Sequence, residues 1–381
     1  MIYAKKEYIY SVFSLDSYND SMHSQSKRIL DEEEVMSISD KPRIAMVMGD
    51  PAGVGPELIS KLLANHEVTG SSDIILIGDR SEFDRGQEIA KVDVPVEEIG
   101  SLEDIQFNSS RPLFFEERAG VAGEFVRNEA SVQGGQYALG TLAKALDLAK
   151  NNIVDAVLFA PLNKTSLHLA GMKFSDELHW FADYLHYDGP FCEFNALDNL
   201  WTARVTSHVA LKEVPSLITK DRIIEFIHLI NHAMILNGIA KPSIGVCGLN
   251  PHNGDNGSFG REEIDIITPA VEEAISQGVD ARGPYPSDTI FLKVQGDNHA
   301  FDAVLTMYHD QGQIAIKLMG FNRGVTIHGG LPIPITTPAH GTAFDIAGSG
   351  TANVGATRQA FEIAKRMGLR NRRAREASNK L

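Results

Sequence analysis

The chain has 381 residues, a formal net charge of −15, and 43% hydrophobic and 22% charged residues. That balance fits a globular protein large enough for two lobes, and so acidic a surface excludes nucleic acid and anionic membrane as partners. Two cysteines, Cys192 and Cys247, are too few for a disulfide framework or a cysteine metal centre; no apolar run reaches the roughly 18 residues of a membrane span, and the start lacks a basic-then-apolar signal, so a cytoplasmic protein is expected.

Residues 1–40 carry no hydrophobic period and end in the acidic run Asp31-Glu32-Glu33-Glu34. They are expected to form a flexible extension. From Lys41 the pattern becomes regular. Residues 43–48 predict a strand. It feeds the turn Gly49-Asp50-Pro51-Ala52-Gly53-Val54-Gly55-Pro56-Glu57 and a helix through Leu58, Leu62 and Leu63. Glycines there let backbone approach a ligand, and Pro56 suits a first helical turn. The turn matches neither a Walker A motif nor GxGxxG. Residues 73–79 predict a second strand and turn, 136–151 an amphipathic helix, and 155–160 a strand ending at Pro161-Leu162-Asn163-Lys164. Strand and helix alternating at this spacing argue for a mainly parallel α/β sheet.

Residues 166–300 read as a second lobe. A strand is expected over 201–208, with His208 at its end, and a helix over 221–237. A buried strand over 242–249 runs into Asn250-Pro251-His252-Asn253-Gly254, and a helix follows over 262–277. Cys247 lies in the apolar run and reads as an inert core thiol. Residues 301–306 predict a buried strand that ends abruptly in Met307-Tyr308-His309-Asp310-Gln311-Gly312, with Lys317 five residues further on. A strand whose carboxyl end carries proton-active side chains is how an α/β protein presents chemistry. The alternative is a His–Asp pair capping the next helix. His208, His252 and His309 thus stand at or just past strand ends. Three neutral imidazoles from separate elements suit Zn, Co, Ni or Mn, with open positions for substrate. The stretch 337–353 is rich in Gly, Thr and Ala; it is either a nucleotide-binding loop or a plain one. A last helix over 357–367 leads to a basic tail, 370–375, expected to be solvated.

Taken together, several blocks resemble the 4-hydroxythreonine-4-phosphate dehydrogenase family. They are GDPAGVGPE at 49–57, PLNK at 161–164, SH at 207–208, GLNPHNGDNG at 248–257, REE at 261–263, GPYPSDT at 283–289, YHDQG at 308–312 and HGTAFDIAG at 340–348. They stand in family order from about residue 42 to 370. The resemblance implies a two-lobed α/β fold like that of isocitrate and isopropylmalate dehydrogenases. Residues 41–165 plus 305–381 would form the cofactor-side lobe, and 166–304 a second lobe with metal ligands and dimer contacts. It also implies NAD- or NADP-dependent oxidation of a secondary alcohol of a hydroxy acid, with decarboxylation, assisted by a divalent metal (Zn, Co, Ni, Mn or Mg). His208, His252 and His309 match the family's metal ligands, in a site shared across a homodimer. His340, Gly341, Thr342, Asp345 and Asn353 look like the adenosine side of a cofactor site. Lys317 is expected to orient substrate or shuttle the proton. Asp310 and Asp288 are expected to orient His309 or Lys317, a cap or turn being the alternative for each.

The departures fall at the substrate. A family Gly-His-Thr-Glu segment is Asp176-Glu177-Leu178-His179 here, so Glu177 and Leu178 replace a substrate-contacting His and Thr. Thr326 stands for an Asn and Ile335 for an Arg, while Lys317 is kept. Such exchanges weaken binding of a dianionic phosphate. The expected substrate is therefore a small hydroxy acid other than the family's own. It is either an aromatic cis-dihydrodiol carboxylate, facing Phe174, Leu178 and Trp180, or a four-carbon sugar-acid phosphate. His179 and His328 add polar groups in the same regions. A non-catalytic or regulatory relative is the alternative class; the kept His trio and the HGTAFDIAG loop favour the enzyme.

Overall fold

The computed structural model describes residues 41–378 except 108–110, 297–298 and 321–322. The expected extension, 1–40, lies outside the described residues. The strands are, in chain order, β1 (Arg43–Val47), β2 (Asp73–Gly78), β3 (Glu97–Ile99), β4 (Leu113–Glu116), β5 (Ala156–Phe159), β6 (Cys192–Leu197), β7 (Leu200–Arg204), β8 (Ser243–Cys247), β9 (Asp280–Tyr285), β10 (Ala303–Thr306), β11 (Val325–Gly329) and β12 (Ile335–Pro338). They join in one twelve-stranded sheet in the order β3-β4-β2-β1-β5-β12-β11-β6-β7-β10-β8-β9. Most neighbours run parallel. The antiparallel pairings are β11 with β12, β11 with β6, and β6 with β7. The expected mainly parallel α/β architecture is present.

Continuous burial of β5 and β10 follows from helices covering both faces. The period of two divides β1 between two cores. Ile44 and Met46 join one with Ile59, Leu62 and Phe361. Ala45 and Val47 join the other with Leu142, Leu146 and Phe159. The helix Val132–Lys150 starts where the Ser131 hydroxyl accepts the Gly134 N–H, and Thr219 caps Lys220–Leu236 in the same way. The helix expected over 262–277 is a π-helical turn, Glu263–Ile267, continued by an α-helix, Thr268–Ser276. Six strands had no clear signal in the sequence: β3, β4, β6, β9, β11 and β12. Among the described residues no helix is long and apolar enough to cross a membrane.

One expectation is corrected. The basic tail 370–375 is not a solvated appendix but part of the helix Gly355–Ser378. Arg372 is buried, and its Nη1 lies 3.1 Å from Oδ2 of the buried Asp155. Arg375 approaches the other oxygen at 3.7 Å, and the Arg43 N–H donates to Oδ2 at 2.8 Å. The apolar positions Phe361, Ile363, Ala364, Met367 and Ala374 continue at helical spacing, so the arginines ride on an amphipathic helix. Arg372→Met should therefore leave a buried carboxylate short of its cation and cost about 3 kcal/mol in denaturant unfolding. A solvated arginine would give almost no change.

Candidate functional site

β7, β10 and β8 are adjacent and mutually parallel, with β10 in the middle. Their carboxyl ends therefore share one edge, the edge where α/β sheets hold ligands. Each strand delivers one of the expected histidines there: His208 after β7, His309 after β10 and His252 after β8. Gln311 ties two of these ends together. Its Oε1 accepts the Met307 N–H at 2.8 Å and its Nε2 donates to the Gly248 carbonyl at 3.0 Å.

The rings of His208 and His309 stand 5.8 Å apart, centroid to centroid. Each offers Nδ1 to a carboxylate: His309 to Asp310 at 2.7 Å, and His208 to Asp176 at 3.5 Å. Asp176 also bonds His179 Nδ1 at 2.5 Å and accepts the His179 N–H, capping the helix Glu177–Tyr184. Burial pushes the Asp176 carboxyl up, but the bonds from His179 and His208 outweigh it and hold it well below the usual carboxylate range. With Nδ1 committed to a carboxylate, each imidazole keeps Nε2 for a ligand, the arrangement that carboxylates impose on metal-binding histidines. The donor set suits a divalent metal. No third His, Cys, Asp or Glu completes a cluster within the chain among the described residues.

His252 is exposed in the loop after β8. From His252 to Asn256 every residue is left-handed, with φ between 42° and 73°. Asn, Asp and Gly tolerate this region, and Gly254 needs no tolerance. His is also found there more often than most side chains, yet two of the three site histidines, His252 and His208 at φ 39°, both adopt this costly conformation. Strain of this kind gathers at functional loops. Glu263 holds the loop: its Oε1 accepts the N–H groups of Leu249 and Asn250 at 2.7 and 2.6 Å, and its Oε2 accepts the Asn250 amide at 3.0 Å.

Beside the two rings lies a cavity of about 240 Å³. Its wall from the helix His309–Gly320 shows the i, i+4, i+8 series His309, Gln313 and Lys317. Of the expected substrate residues, Glu177, Thr326 and Lys317 line it. Leu178 and Ile335 are buried in the apolar interior, Ile335 within a core cluster, and neither lines the cavity. Asp288 is exposed and outside the lining. His328 is fully enclosed against Phe159 and Phe181, and neither ring nitrogen has a partner. Burial pushes its imidazole below the ordinary value.

Sequence reasoning missed Glu193, Asn195 and Arg204 on the cavity floor, Gln313 on its helical wall and Lys164 at the side. Arg204 donates from Nη2 to Glu193 at 2.9 Å, from Nη1 to Asn195 at 2.8 Å, and from Nε to the Ser207 hydroxyl at 2.9 Å. Burial would raise the Glu193 carboxyl; the Arg204 charge and hydrogen bond outweigh it and hold it below its ordinary value. The available signal was Arg204 itself, a lone cation ending the buried strand Leu-Trp-Thr-Ala-Arg.

The glycine-rich turn and the 340–353 loop prove to be one assembly. Val54 N–H donates to the Thr342 carbonyl at 3.0 Å. A Cβ on Gly53 would stand 2.7 Å from Thr342, so only glycine fits this approach. Lys61 donates to the carbonyls of Gly350 and Ala352, and Glu57 accepts the Ala352 N–H. Thr342 is buried, while Gly341, Asp345 and Asn353 are exposed and His340 is half-buried. The Asn353 side chain accepts the Gly355 N–H. A fixed loop with exposed backbone and polar tips is compatible with a bound nucleotide.

The crystal structure of 4-hydroxythreonine-4-phosphate dehydrogenase from Klebsiella pneumoniae matches with a TM-score of 0.74 and 33% identity, over 87% of this chain and 99% of that one. This fold, with its strand-end site, defines the class as dehydrogenases, oxidoreductases of a CH–OH group. A provisionally named 4-hydroxythreonine-4-phosphate dehydrogenase 2 of Pseudomonas aeruginosa is 64% identical over 87% of this chain and 99% of its own. The D-threonate 4-phosphate dehydrogenase of Salmonella typhimurium is 36% identical over 81% and 94%. The family profile described as pyridoxal phosphate biosynthetic protein PdxA matches residues 71–364, and the chain belongs to this family.

Glu263→Leu should release the Leu249 and Asn250 amides. Their hydrogen exchange should accelerate by about 10- to 100-fold, the equivalent of 1–3 kcal/mol for stranded donors. Unchanged protection would mean that the loop is held by other contacts.

Proposed function

We propose that this chain is a metal- and nicotinamide-dependent dehydrogenase that oxidises a secondary alcohol of a small hydroxy acid phosphate, losing CO2 where that alcohol is β to the carboxylate. The observation that carries the reading is the His208–His309 pair opening onto the cavity that Lys164, Arg204 and Lys317 line. A divalent metal on His208, His252 and His309, with NAD or NADP along the 340–353 loop, would supply Lewis-acid polarisation of the alcohol and a hydride acceptor. Asp310 and Asp176 hold the two rings in orientation. Lys317 lies two helical turns beyond His309 on the same face, in position to orient the substrate or take its proton. Lys164 and Lys317 offset the acidic field of a chain with net charge −15 for an anionic substrate. Residues 41–165 with 305–381 act as the cofactor side, and 166–304 as the side of metal ligands and dimer contacts. The relatives' names make D-threonate 4-phosphate and 4-hydroxythreonine 4-phosphate the first substrates to assay. The charged lining disfavours an aromatic cis-dihydrodiol carboxylate, whose ring would desolvate those groups without pairing them.

The site is completed by a second copy. A single chain brings two imidazoles together, and large apolar side chains are exposed around them: Leu211 soon after His208, Phe259 after His252, and Ile314 and Leu318 after His309. Such a set is what an isologous partner covers. His252→Ala and His309→Ala should each abolish NAD(P)H production and bound metal while leaving the melting curve near wild type. Co-expressed as a hybrid dimer, the two variants should regain about half the wild-type rate, since one of the two shared sites is then intact. A dead hybrid would refute the shared site; metal-free protein working at full rate would refute the metal.

A further inference from the structure

The cavity floor is built from three neighbouring strands, β11, β6 and β7, and its residues meet by register. Thr326 and His328 lie opposite Asn195 and Glu193, and Thr202 lies opposite Asn195. Period two then puts Glu193, Asn195, Thr326 and Arg204 on one face, while Phe194, Ala196, Ile327 and Ala203 enter the core on the other. On this polar face Glu193, Asn195, Thr326 and Arg204 brace one another, while His328 stays outside the network with neither ring nitrogen paired. Asn195 Oδ1 accepts from both Arg204 and Gln313. Asn195 Nδ2 donates to Glu193 and Thr326, at 3.3 Å each. A network satisfied in this way locks its own rotamers.

Two capacities are left over. A guanidinium has five N–H donors, and Arg204 spends three of them on Glu193, Asn195 and Ser207. The bonds to Glu193 all fall on Oε1, and its side chain is 26% exposed in the cavity lining. The floor therefore offers one free carboxylate oxygen beside unused N–H donors. The two charges cancel, so the pair reads hydrogen-bonding pattern rather than net charge. Charge recognition falls to Lys164 and Lys317. Stability does not account for the pair, because a buried ion pair is often no better than apolar side chains of like volume.

Resting on the dehydrogenase reading above, we propose that the Arg204–Glu193 pair is the specificity-determining floor of the site and binds a hydroxyl on the substrate's carbon chain, Glu193 Oε2 accepting its proton and an Arg204 N–H donating to its oxygen. The hydroxyl concerned is one that is not oxidised. A ligand lacking it leaves both floor groups stripped of water and unpaired, which rejects the deoxy analogue far more strongly than a missing methylene would. The pair thus selects polyhydroxylated chains over ring or alkyl acids of similar length.

The test is direct binding, by calorimetry on the full chain, of D-threonate 4-phosphate and its two monodeoxy analogues. Wild type should bind the parent at least about 100-fold more tightly than the analogue lacking the hydroxyl that is not oxidised. The double variant Glu193→Met with Arg204→Leu removes both charges together, so it avoids a lone buried ion, and its melting temperature should stay near wild type. In it the preference should fall to about tenfold or less, by weaker binding of the parent with little change for the analogue. Glu193→Gln, which keeps shape but loses the anionic acceptor, should fall between. If the double variant keeps the wild-type ratio, the floor is not the determinant. If wild type binds none of the three compounds, the hydroxy acid phosphate reading itself fails, and the floor's role falls with it.

Discussion

Three parallel strands side by side constrain nearly everything that matters in this protein. Because β7, β10 and β8 run the same way, their carboxyl ends open on one edge, and whatever follows each strand must emerge there. The histidines lie only three to five residues beyond the strands, too few for the chain to carry them elsewhere. Gln311 then fixes β10 against the end of β8 through two backbone groups. An antiparallel neighbour at β10 would send one histidine to the opposite edge, and no adjustment of loops would recover it.

Around that edge, much of what looks like chemistry in the sequence is scaffold. Loops without regular structure leave backbone N–H and C=O groups in need of partners. Glu263 answers two N–H groups of the His252 loop. Glu57 and Lys61 answer the 350–352 backbone, and Gly53 allows the turn to reach Thr342. Glu263 in this way holds the strained position of His252 by fixing the loop around it, which is how a rigid shell supports a functional one.

Strands covered on both faces read plainly in the sequence, since β1, β2, β5, β8 and β10 are short unbroken apolar runs. β6, β11 and β12 did not, because one face of each carries polar residues: Glu193 and Asn195, Thr326 and His328, Thr336. Alternation of that kind in a strand of four to six residues resembles an ordinary loop. Most of the cavity floor lies in β6 and β11, so it was missed with them, and Arg204 joins it from the end of β7. The 370–375 tail was misjudged for a related reason. A run of arginines looks solvated until a buried acid, Asp155, is found beside it.

What the sequence by itself determined was local: the residue types at strand ends, the glycines and prolines that shape the turns, the apolar periods that make strands and helices, and the motifs that mark the family. What only the tertiary structure decided was which distant residues share a space. Arg204 meets Glu193, Asp155 meets Arg372, and the 49–57 turn meets the 340–353 loop only because strand order and register bring them together. A periodic pattern says which face a side chain takes along its own strand. It carries no record of the strand that will lie alongside, and ion pairs and close backbone approaches depend on that neighbour.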